Sequence, residues 1–194
     1  MTTLTAPATP DHADCMRRAA AVELMIFDVD GVLTDGRVYF GAEGEMLKAF
    51  NILDGQGIKL LQRAGIRTAL ITGRRSPMVA RRAAELGIDH VAQGIGDKRA
   101  ALDTLLAECG LTPAQAGHMG DDWPDLPVMC CVGFAACPAN AHAAVAARAH
   151  FRTARSGGHG AVRDVCDLLL QARGVYDTLL DAYCRPGAGD GAQR

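Results

Sequence analysis

The stretch VELMIFDVDGVLT, residues 22–34, is the part of the sequence that decides the fold. Its first half, Val22–Phe27, is a short and mostly apolar run, which is typical of a strand buried inside a sheet. Two aspartates, Asp28 and Asp30, follow this run at once. The stretch therefore predicts a buried strand whose end carries acidic side chains.

Strand-like and helix-like segments alternate along the rest of the chain. Further strands are predicted at residues 67–71, 88–92, 117–119, 133–135 and 149–153, and helices at 54–64, 76–87, 97–109, 161–172 and 175–183. Residues 37–40 and 45–50 flank a Gly-Ala-Glu-Gly turn and predict a hairpin. The alternation predicts an α/β fold, a Rossmann-like doubly wound parallel sheet with a β-hairpin flap. Ligands of such sheets bind beyond the carboxyl ends of the strands, so residues that follow strands are candidates for chemistry.

Length and composition describe one globular domain. The chain has 194 residues, of which 49% are apolar and 22% charged. We predict a domain over residues 21–184, between a flexible N-terminal arm (1–20) and a flexible tail (185–194). A formal net charge of −2 provides no basic surface for nucleic acid. No apolar run reaches the roughly 20 residues of a membrane span. We therefore expect a cytoplasmic protein with neither nucleic acid nor membrane as a partner.

Polar side chains follow four of the predicted strands or the loops behind them: Asp28 and Asp30, then Thr72, then Lys98, then Asp121. One carboxylate can attack phosphorus and form an aspartyl-phosphate. The second, two residues further on, can protonate the leaving oxygen and later deprotonate water. Mg²⁺ prefers hard oxygen ligands and would screen the carboxylate from the phosphate. A threonine hydroxyl and a lysine can hold phosphate oxygens. The set therefore indicates phosphoryl transfer.

The four motifs DVDGVLT (28–34), ITGR (71–74), DK (97–98) and GDD (120–122) resemble those of the haloacid dehalogenase superfamily, phosphatase branch. They occur in the family's order, and the resemblance covers roughly residues 22–173. It implies that Asp28 is the nucleophile, that Asp30 is the general acid and base, and that Thr72 and Lys98 bind phosphate. It also implies that Mg²⁺ is ligated by Asp28, Asp121 and the backbone carbonyl of Asp30.

Three further residues surround the last motif. The resemblance places Asp122 outside the metal's direct ligands, while a helix-capping role is equally open for Asp122 and Asp125. We expect His118 to be structural and to face away from the metal site. Trp123 departs from the smaller aliphatic residue of some relatives.

The spacing of the motifs leaves no room for an inserted cap domain. A hairpin, a helix and a strand already use the gap from Asp30 to Thr72, and a helix and a strand use the gap from Thr72 to Lys98. An open site would lose the water exclusion that strengthens electrostatic interactions. A neighbouring subunit can supply the missing wall, so we expect a homo-oligomer with the hairpin (residues 37–50) at its interface.

Other segments are similar to one subfamily. FNILDGQGIK (50–59), QG (93–94) and GGHGAVRD (157–164) look like segments of the capless 3-deoxy-D-manno-octulosonate 8-phosphate phosphatases. Those are tetrameric enzymes of lipopolysaccharide biosynthesis, so the resemblance implies a homotetramer that hydrolyses this sugar acid phosphate. Similar segments occur in phosphatases of nine-carbon sialic-type acid phosphates, which remains the alternative substrate. A non-enzymatic regulatory module on the same fold is disfavoured, because such a module normally lacks a catalytic carboxylate.

A sugar acid phosphate carries a phosphate at one end and a carboxylate at the other. Arginine donates paired hydrogen bonds to either group, and small polar residues can bind hydroxyls. The candidate substrate-binding residues are Asp30, Asn51, Asp54, Gly55, Lys59, Arg74, Arg82 and Lys98. The alternative for Asn51 and Asp54 is capping of the following helix. The alternative for Lys59 and Arg82 is a solvated helix face.

Overall fold

The computed structural model describes residues 12–88 and 90–185 of the chain. Its centre is a six-stranded sheet in which all neighbouring strands are parallel. The strand order is β5-β4-β1-β6-β7-β8. The strands are β1 Leu24–Phe27, β4 Arg67–Thr72, β5 His90–Gln93, β6 Ala116–Met119, β7 Phe134–Cys137 and β8 Phe151–Arg152, and β2 Tyr39–Gly41 and β3 Gly44–Leu47 form a separate antiparallel hairpin.

Helices cover both faces of the sheet, which confirms the predicted fold class. The first face is covered by α1, α2, α3 and α7, and the second by α4, α5 and α6, while α8 packs on α7. The helices are α1 His12–Ala20, α2 Ile52–Arg63, α3 Pro77–Leu86, α4 Lys98–Cys109, α5 Leu126–Met129, α6 Ala143–Ala146, α7 Ala161–Ala172 and α8 Tyr176–Cys184.

Strand β1 explains why both cores form around one apolar run. Met25 and Phe27 lie in the core beneath α2 and α7, while Leu24 and Ile26 lie in the core beneath α4. Successive side chains of a strand point to opposite faces, so a strand covered on both faces needs apolar residues throughout. The wholly apolar run Leu24–Phe27 is therefore the signature of a central strand.

The N-terminal segment corrects one prediction. Residues 12–20, predicted as part of a flexible arm, form helix α1, which packs against α7. Cys15 and Ala19, four residues apart, lie on one face and are buried. Arg18 fastens the helix by donating a hydrogen bond to the carbonyl of Gly133 at 3.0 Å. Small apolar residues made this face hard to recognise. The remainder of the predicted arm, residues 1–11, and residues 186–194 of the predicted tail lie outside the described residues.

The segments between the strands that carry the motifs contain few elements. Between β1 and β4 the chain forms the hairpin and α2, and between β4 and β6 it forms α3, β5, α4 and one turn of 3-10 helix. Within the described ranges, no helix combines the length and apolar character needed to cross a bilayer.

Candidate active site

The predicted catalytic residues meet at the carboxyl edge of three neighbouring strands. Asp28 directly follows β1, Thr72 ends β4, and Asp121 follows β6, and β1 lies between β4 and β6 in the sheet. Lys98 reaches the same place from the first position of α4. Asp97 fixes the start of this helix, because its carboxylate accepts hydrogen bonds from the backbone N–H groups of the first turn. The structure thus brings the four predicted motifs together.

Lys98 is the buried charge at the centre of the site. Its Nζ lies 2.9 Å from Asp28 Oδ1 and 2.8 Å from Asp125 Oδ1. The same oxygen of Asp125 is 3.0 Å from His118 Nε2. The other oxygen, Oδ2, accepts the backbone N–H of Asp121 at 3.1 Å. Asp125 therefore ties together the lysine, the buried histidine and the loop that carries the predicted metal ligand.

The electrostatics of this cluster follow from burial and charge. Burial, followed by the charge of Asp125, raises the pKa of Asp28. Burial alone would lower the pKa of Lys98, but the charges of Asp28 and Asp125 outweigh it and raise the pKa. Burial alone would raise the pKa of Asp125, but His118 and Lys98 hold it well below its usual range. Asp125 is therefore the permanent counterion of Lys98, and Asp28 remains available for chemistry.

Three carboxylates, those of Asp28, Asp121 and Asp125, have oxygens within 4.8 Å of one another. Burial raises the pKa of Asp121 to about 7, and the charges of Asp28 and Asp125 add to the effect. Gly31 permits this crowding, because a Cβ at this position would collide with the carboxylate of Asp121. Oxygen ligands and unbalanced negative charge suit Mg²⁺. Since Asp125 is already bound by Lys98 and His118, Asp28 and Asp121 are the carboxylates that fit the ion.

Asp30 is held by Lys48, which sequence reasoning did not place in the site, and is approached by Arg74, which it did. The buried Lys48, just after β3, forms an ion pair with Asp30 Oδ1 and lies 3.1 Å from a carboxylate oxygen of Glu45. Arg74, predicted to bind substrate, has its Nε 3.7 Å from Asp30 Oδ2 and donates a hydrogen bond to Glu45 at 3.2 Å. Arg74 is half-exposed and stands at the rim of the site. The hairpin thus contacts the predicted general acid and base of its own chain.

Two of the predicted sugar-binding residues organise the backbone. Asn51 caps α2 by accepting the N–H of Leu53 at 2.8 Å, and its amide donates to the carbonyl of Gly158 at 3.2 Å. Asp54 accepts the N–H of Arg163 at 2.8 Å, and its side chain is almost fully buried. Contact between Asp54 and a substrate hydroxyl therefore stays a prediction. Asp54 secures the start of α7, because buried carboxylates require hydrogen-bond donors.

The glycine-rich segment at residues 157–160 packs on the loop that carries Asp28 and Asp30. The N–H of Gly158 donates to the carbonyl of Val32 at 3.0 Å. A side chain at Gly157 would collide with the carbonyl of Gly31, which explains why glycine stands there. His159 is exposed in this loop. The segment therefore supports the catalytic loop from behind.

The remaining predicted substrate residues lie along α2 and α3. The guanidinium of Arg82 lies against Gly55, where any side chain would displace it, and pairs with Glu85 at 3.3 Å. This position is half-buried, so Arg82 is not a freely solvated side chain. Lys59 is partly exposed, and among the described residues it has no ion-pair partner. Arg82 lies against Gly55, and Lys59 follows Gly55 by one turn of α2, so both basic side chains are close to this glycine.

The comparison with known proteins extends over most of the chain. This chain is 48% identical to 3-deoxy-D-manno-octulosonate 8-phosphate phosphatase KdsC of Yersinia pestis over 164 residues. The match covers 84% of this chain and 88% of that protein.

The chain belongs to the 3-deoxy-D-manno-octulosonate 8-phosphate phosphatase family. The resemblance inferred from the motifs is thereby confirmed. No protein-family model matches the chain.

Solved structures of this phosphatase family share the fold. A probable YrbI family phosphatase of Pseudomonas syringae has a TM-score of 0.87 and 48% identity, over 89% of this chain and 98% of that one. The Moraxella catarrhalis 3-deoxy-D-manno-octulosonate 8-phosphate phosphatase, solved with magnesium, phosphate and KDO, has a TM-score of 0.87 and 39% identity, over 89% and 99% of the two chains.

Four site residues were missed or left open by sequence reasoning. Asp125 was left between a cap and a functional role, and the structure makes it the partner of Lys98. His118 was predicted to face away from the metal site, which is wrong, because its Nε2 lies 3.0 Å from Asp125 Oδ1. Glu45 and Lys48 gave no signal, because charged residues in a hairpin are usually solvated. Their role is visible only in the folded chain, where Lys48 pairs with both Asp30 and Glu45.

We predict that Asp125→Asn destabilises the protein by about 3–5 kcal/mol, because it removes one partner of a buried ion pair. Lys98 would keep only Asp28 as a counterion and would draw the nucleophile out of position, so turnover falls as well. Urea unfolding measures the loss of stability. The matched control is Asp122→Asn, an exposed neighbour whose replacement should change the unfolding free energy by less than about 0.5 kcal/mol. Equal effects of the two substitutions would contradict the central role of Asp125.

We predict that Mg²⁺ binds more weakly at about pH 6 than at about pH 8, by up to roughly tenfold per unit below the pKa of Asp121. Asp121 must lose its proton to bind the ion, and burial raises its pKa to about 7. The single tryptophan reports binding. Trp123 donates its indole N–H to His142 Nδ1 at 3.0 Å, and the backbone N–H of His142 donates to the carbonyl of Asp121 at 2.9 Å. Tryptophan fluorescence during a Mg²⁺ titration gives the dissociation constant.

Asp121→Asn is the control for this titration, since the amide has no proton to lose and should bind Mg²⁺ weakly at both pH values. Equal dissociation constants at the two pH values in the unaltered protein would show that Asp121 is not the titrating ligand.

Proposed function

We propose that this protein is a Mg²⁺-dependent phosphatase that hydrolyses 3-deoxy-D-manno-octulosonate 8-phosphate to the free sugar acid and phosphate. The observation that carries the proposal is the buried carboxylate of Asp28 at the end of β1, paired with Lys98 and beside Asp121. The proposal is also supported by the relatives of this chain, which it covers over most of their length and which are phosphatases of this substrate. The Moraxella relative, solved with magnesium, phosphate and KDO, supports the same cofactor and product.

The reaction divides into two displacements at phosphorus. Asp28 attacks phosphorus, the bond to the sugar oxygen breaks, and Asp30 gives a proton to that oxygen. Water then attacks the aspartyl-phosphate, Asp30 takes back a proton, and the bond between phosphorus and Asp28 breaks to release phosphate. Asp28, Asp121 and the backbone carbonyl of Asp30 would hold Mg²⁺, which would neutralise charge between the carboxylate and the phosphate. Thr72 and Lys98 hold the phosphate oxygens.

Basic side chains outside the phosphate site can bind the carboxylate end of the substrate. Arg74 stands half-exposed beside Asp30, and its guanidinium can turn towards an incoming anion. Arg82 and Lys59 add positive charge along α2 and α3, next to the backbone of Gly55. Asn51 keeps its capping contacts and lines the entrance beside Gly158. These residues form the substrate-binding side of the site.

With this substrate, the protein would act in lipopolysaccharide biosynthesis, and we propose that it does so in the cytoplasm. Residues 21–184 form the phosphatase domain in this proposal, and helix α1 adds to its core. A phosphatase of a nine-carbon sialic-type acid phosphate would use the same catalytic residues.

The direct test is phosphate release with Mg²⁺ from a panel of sugar phosphates that includes the eight-carbon and nine-carbon keto-acid phosphates. We expect the eight-carbon acid to be preferred, and Asp28→Asn to abolish turnover while the circular dichroism spectrum is unchanged. Preference for the nine-carbon acid would keep the mechanism and overturn the substrate. Release from none of the substrates would overturn the enzymatic proposal. Near-normal activity of Asp28→Asn would overturn the aspartyl-phosphate mechanism.

We also propose that the protein acts as a homotetramer in which a neighbouring subunit closes the open site. The hairpin presents apolar side chains to solvent, including Phe40 (69% exposed) and Met46 (62% exposed). Ile52, at the start of α2, is also exposed, at 80%. Several large apolar side chains exposed on one short element favour a protein interaction site. The hairpin is also the element that contacts Asp30, so a subunit docked on it stands at the site entrance.

Light scattering on the unaltered protein and on the double variant Phe40→Glu/Met46→Glu tests the assembly. We expect a tetramer that falls to a smaller species in the variant, because burying two carboxylates in an apolar interface is costly. The matched control is Leu180→Glu, on an exposed position of α8 away from the hairpin, which should remain tetrameric. A fully active monomer of the unaltered protein would contradict the shared site.

A further inference from the structure

The hairpin carries a buried lysine that the catalytic scheme does not use. Lys48 follows β3, where the neighbouring Leu47 is exposed, yet only 1% of the Lys48 side chain is accessible. Burying an ammonium group is costly unless carboxylates surround it. Two carboxylates do so: Asp30, with which Lys48 forms an ion pair, and Glu45, at 3.1 Å. The lysine therefore occupies a prepared site rather than a solvated surface.

The contacts of Asp30 distinguish its two carboxylate oxygens. Oδ1 is bound by Lys48. Oδ2 lies 3.7 Å from Arg74 Nε, which is beyond hydrogen-bond distance, and Arg74 is itself half-exposed and hydrogen-bonded to Glu45. Oδ2 is thus the oxygen left open for exchange of a proton, while Oδ1 is fixed.

We propose that Lys48 is a positioning residue for Asp30, and that it aims Asp30 Oδ2 at the leaving oxygen by holding Oδ1. Asp30 is 21% exposed and lies in a loop, so without Lys48 its side chain could rotate towards solvent. Proton transfer requires the donor within hydrogen-bond reach of the leaving oxygen, and loss of that geometry costs the contribution of general acid catalysis. The inference rests on the proposed function, since it says which residue positions the general acid and base of that function.

Glu45 completes the arrangement on the hairpin. It contacts Lys48 at 3.1 Å and Arg74 at 3.2 Å, so it sets the distance between the two cations that flank Asp30. The hairpin and the catalytic loop are consequently joined through Lys48 and Asp30. It follows that the geometry of Asp30 depends on how the hairpin is seated.

The test compares Lys48→Met, which keeps the apolar stem and removes the charge, with Lys48→Arg. The first substrate is the eight-carbon sugar acid phosphate, whose alcohol is a poor leaving group and needs a proton. The second is p-nitrophenyl phosphate, whose leaving group needs no proton. The parameter kcat/KM covers the steps through transfer to Asp28. For Lys48→Met we expect a loss of about 100-fold on the sugar phosphate and less than about fivefold on p-nitrophenyl phosphate. Lys48→Arg should restore part of the loss.

Arg37→Met is the matched control, because Arg37 is an exposed cation next to the hairpin that pairs with Asp35. It should retain kcat/KM on both substrates. An equal loss on both substrates in Lys48→Met would mean a merely structural role and would overturn the proposal. Failure of the proposed function would look different, because the unaltered protein itself would not hydrolyse the sugar phosphate.

Hydrogen exchange provides a readout that needs no turnover. Asp30→Asn should raise the exchange rates of the hairpin amides (residues 39–47), because the ion pair that seats the hairpin is lost. Asp28→Asn, which does not touch Lys48, should leave these rates unchanged. Unchanged hairpin exchange in Asp30→Asn would contradict the coupling between the hairpin and the catalytic loop.

Discussion

The ion pairs of Lys98 are the interaction on which the rest of the site depends. A buried ammonium group needs carboxylates on more than one side, and Asp28 and Asp125 provide them at 2.9 and 2.8 Å. Asp125 in turn binds His118 and the backbone N–H of Asp121. Strand β1, helix α4 and the loop after β6 are therefore fixed to one another by a single charge. Because Asp125 satisfies this charge permanently, the carboxylate of Asp28 can leave it for phosphorus.

The general layout of this molecule could be predicted from its sequence because each feature has a local cause. An apolar run covered on both faces predicts β1, and the aspartates that follow it predict the active edge of the sheet. The features that were missed depend on distant partners. Lys48 resembles any hairpin lysine until the chain brings it to Asp30, and the hydrogen bond that Asp54 accepts from α7 joins residues 109 positions apart. The small residues of α1 hid a helix because their packing partner, α7, lies at the other end of the chain.

The hairpin carries side chains with two different roles. Lys48 pairs with Asp30, and Glu45 pairs with Lys48, while Phe40 and Met46 remain exposed. A site without a cap domain must exclude water by other means, and an apolar surface beside the entrance suits a neighbouring subunit. One short element thus links the proposed assembly of subunits to the geometry of Asp30.

The central claim is that a phosphoryl group passes through Asp28. The most direct measurement is rapid acid quenching during turnover of the sugar phosphate, followed by borohydride reduction and peptide mass spectrometry. An acyl-phosphate at Asp28 is reduced to homoserine, whereas an unmodified aspartate is not, and the account predicts homoserine at position 28 alone. Steady turnover with no modification at Asp28, or modification at Asp30 or Asp121 instead, would contradict it.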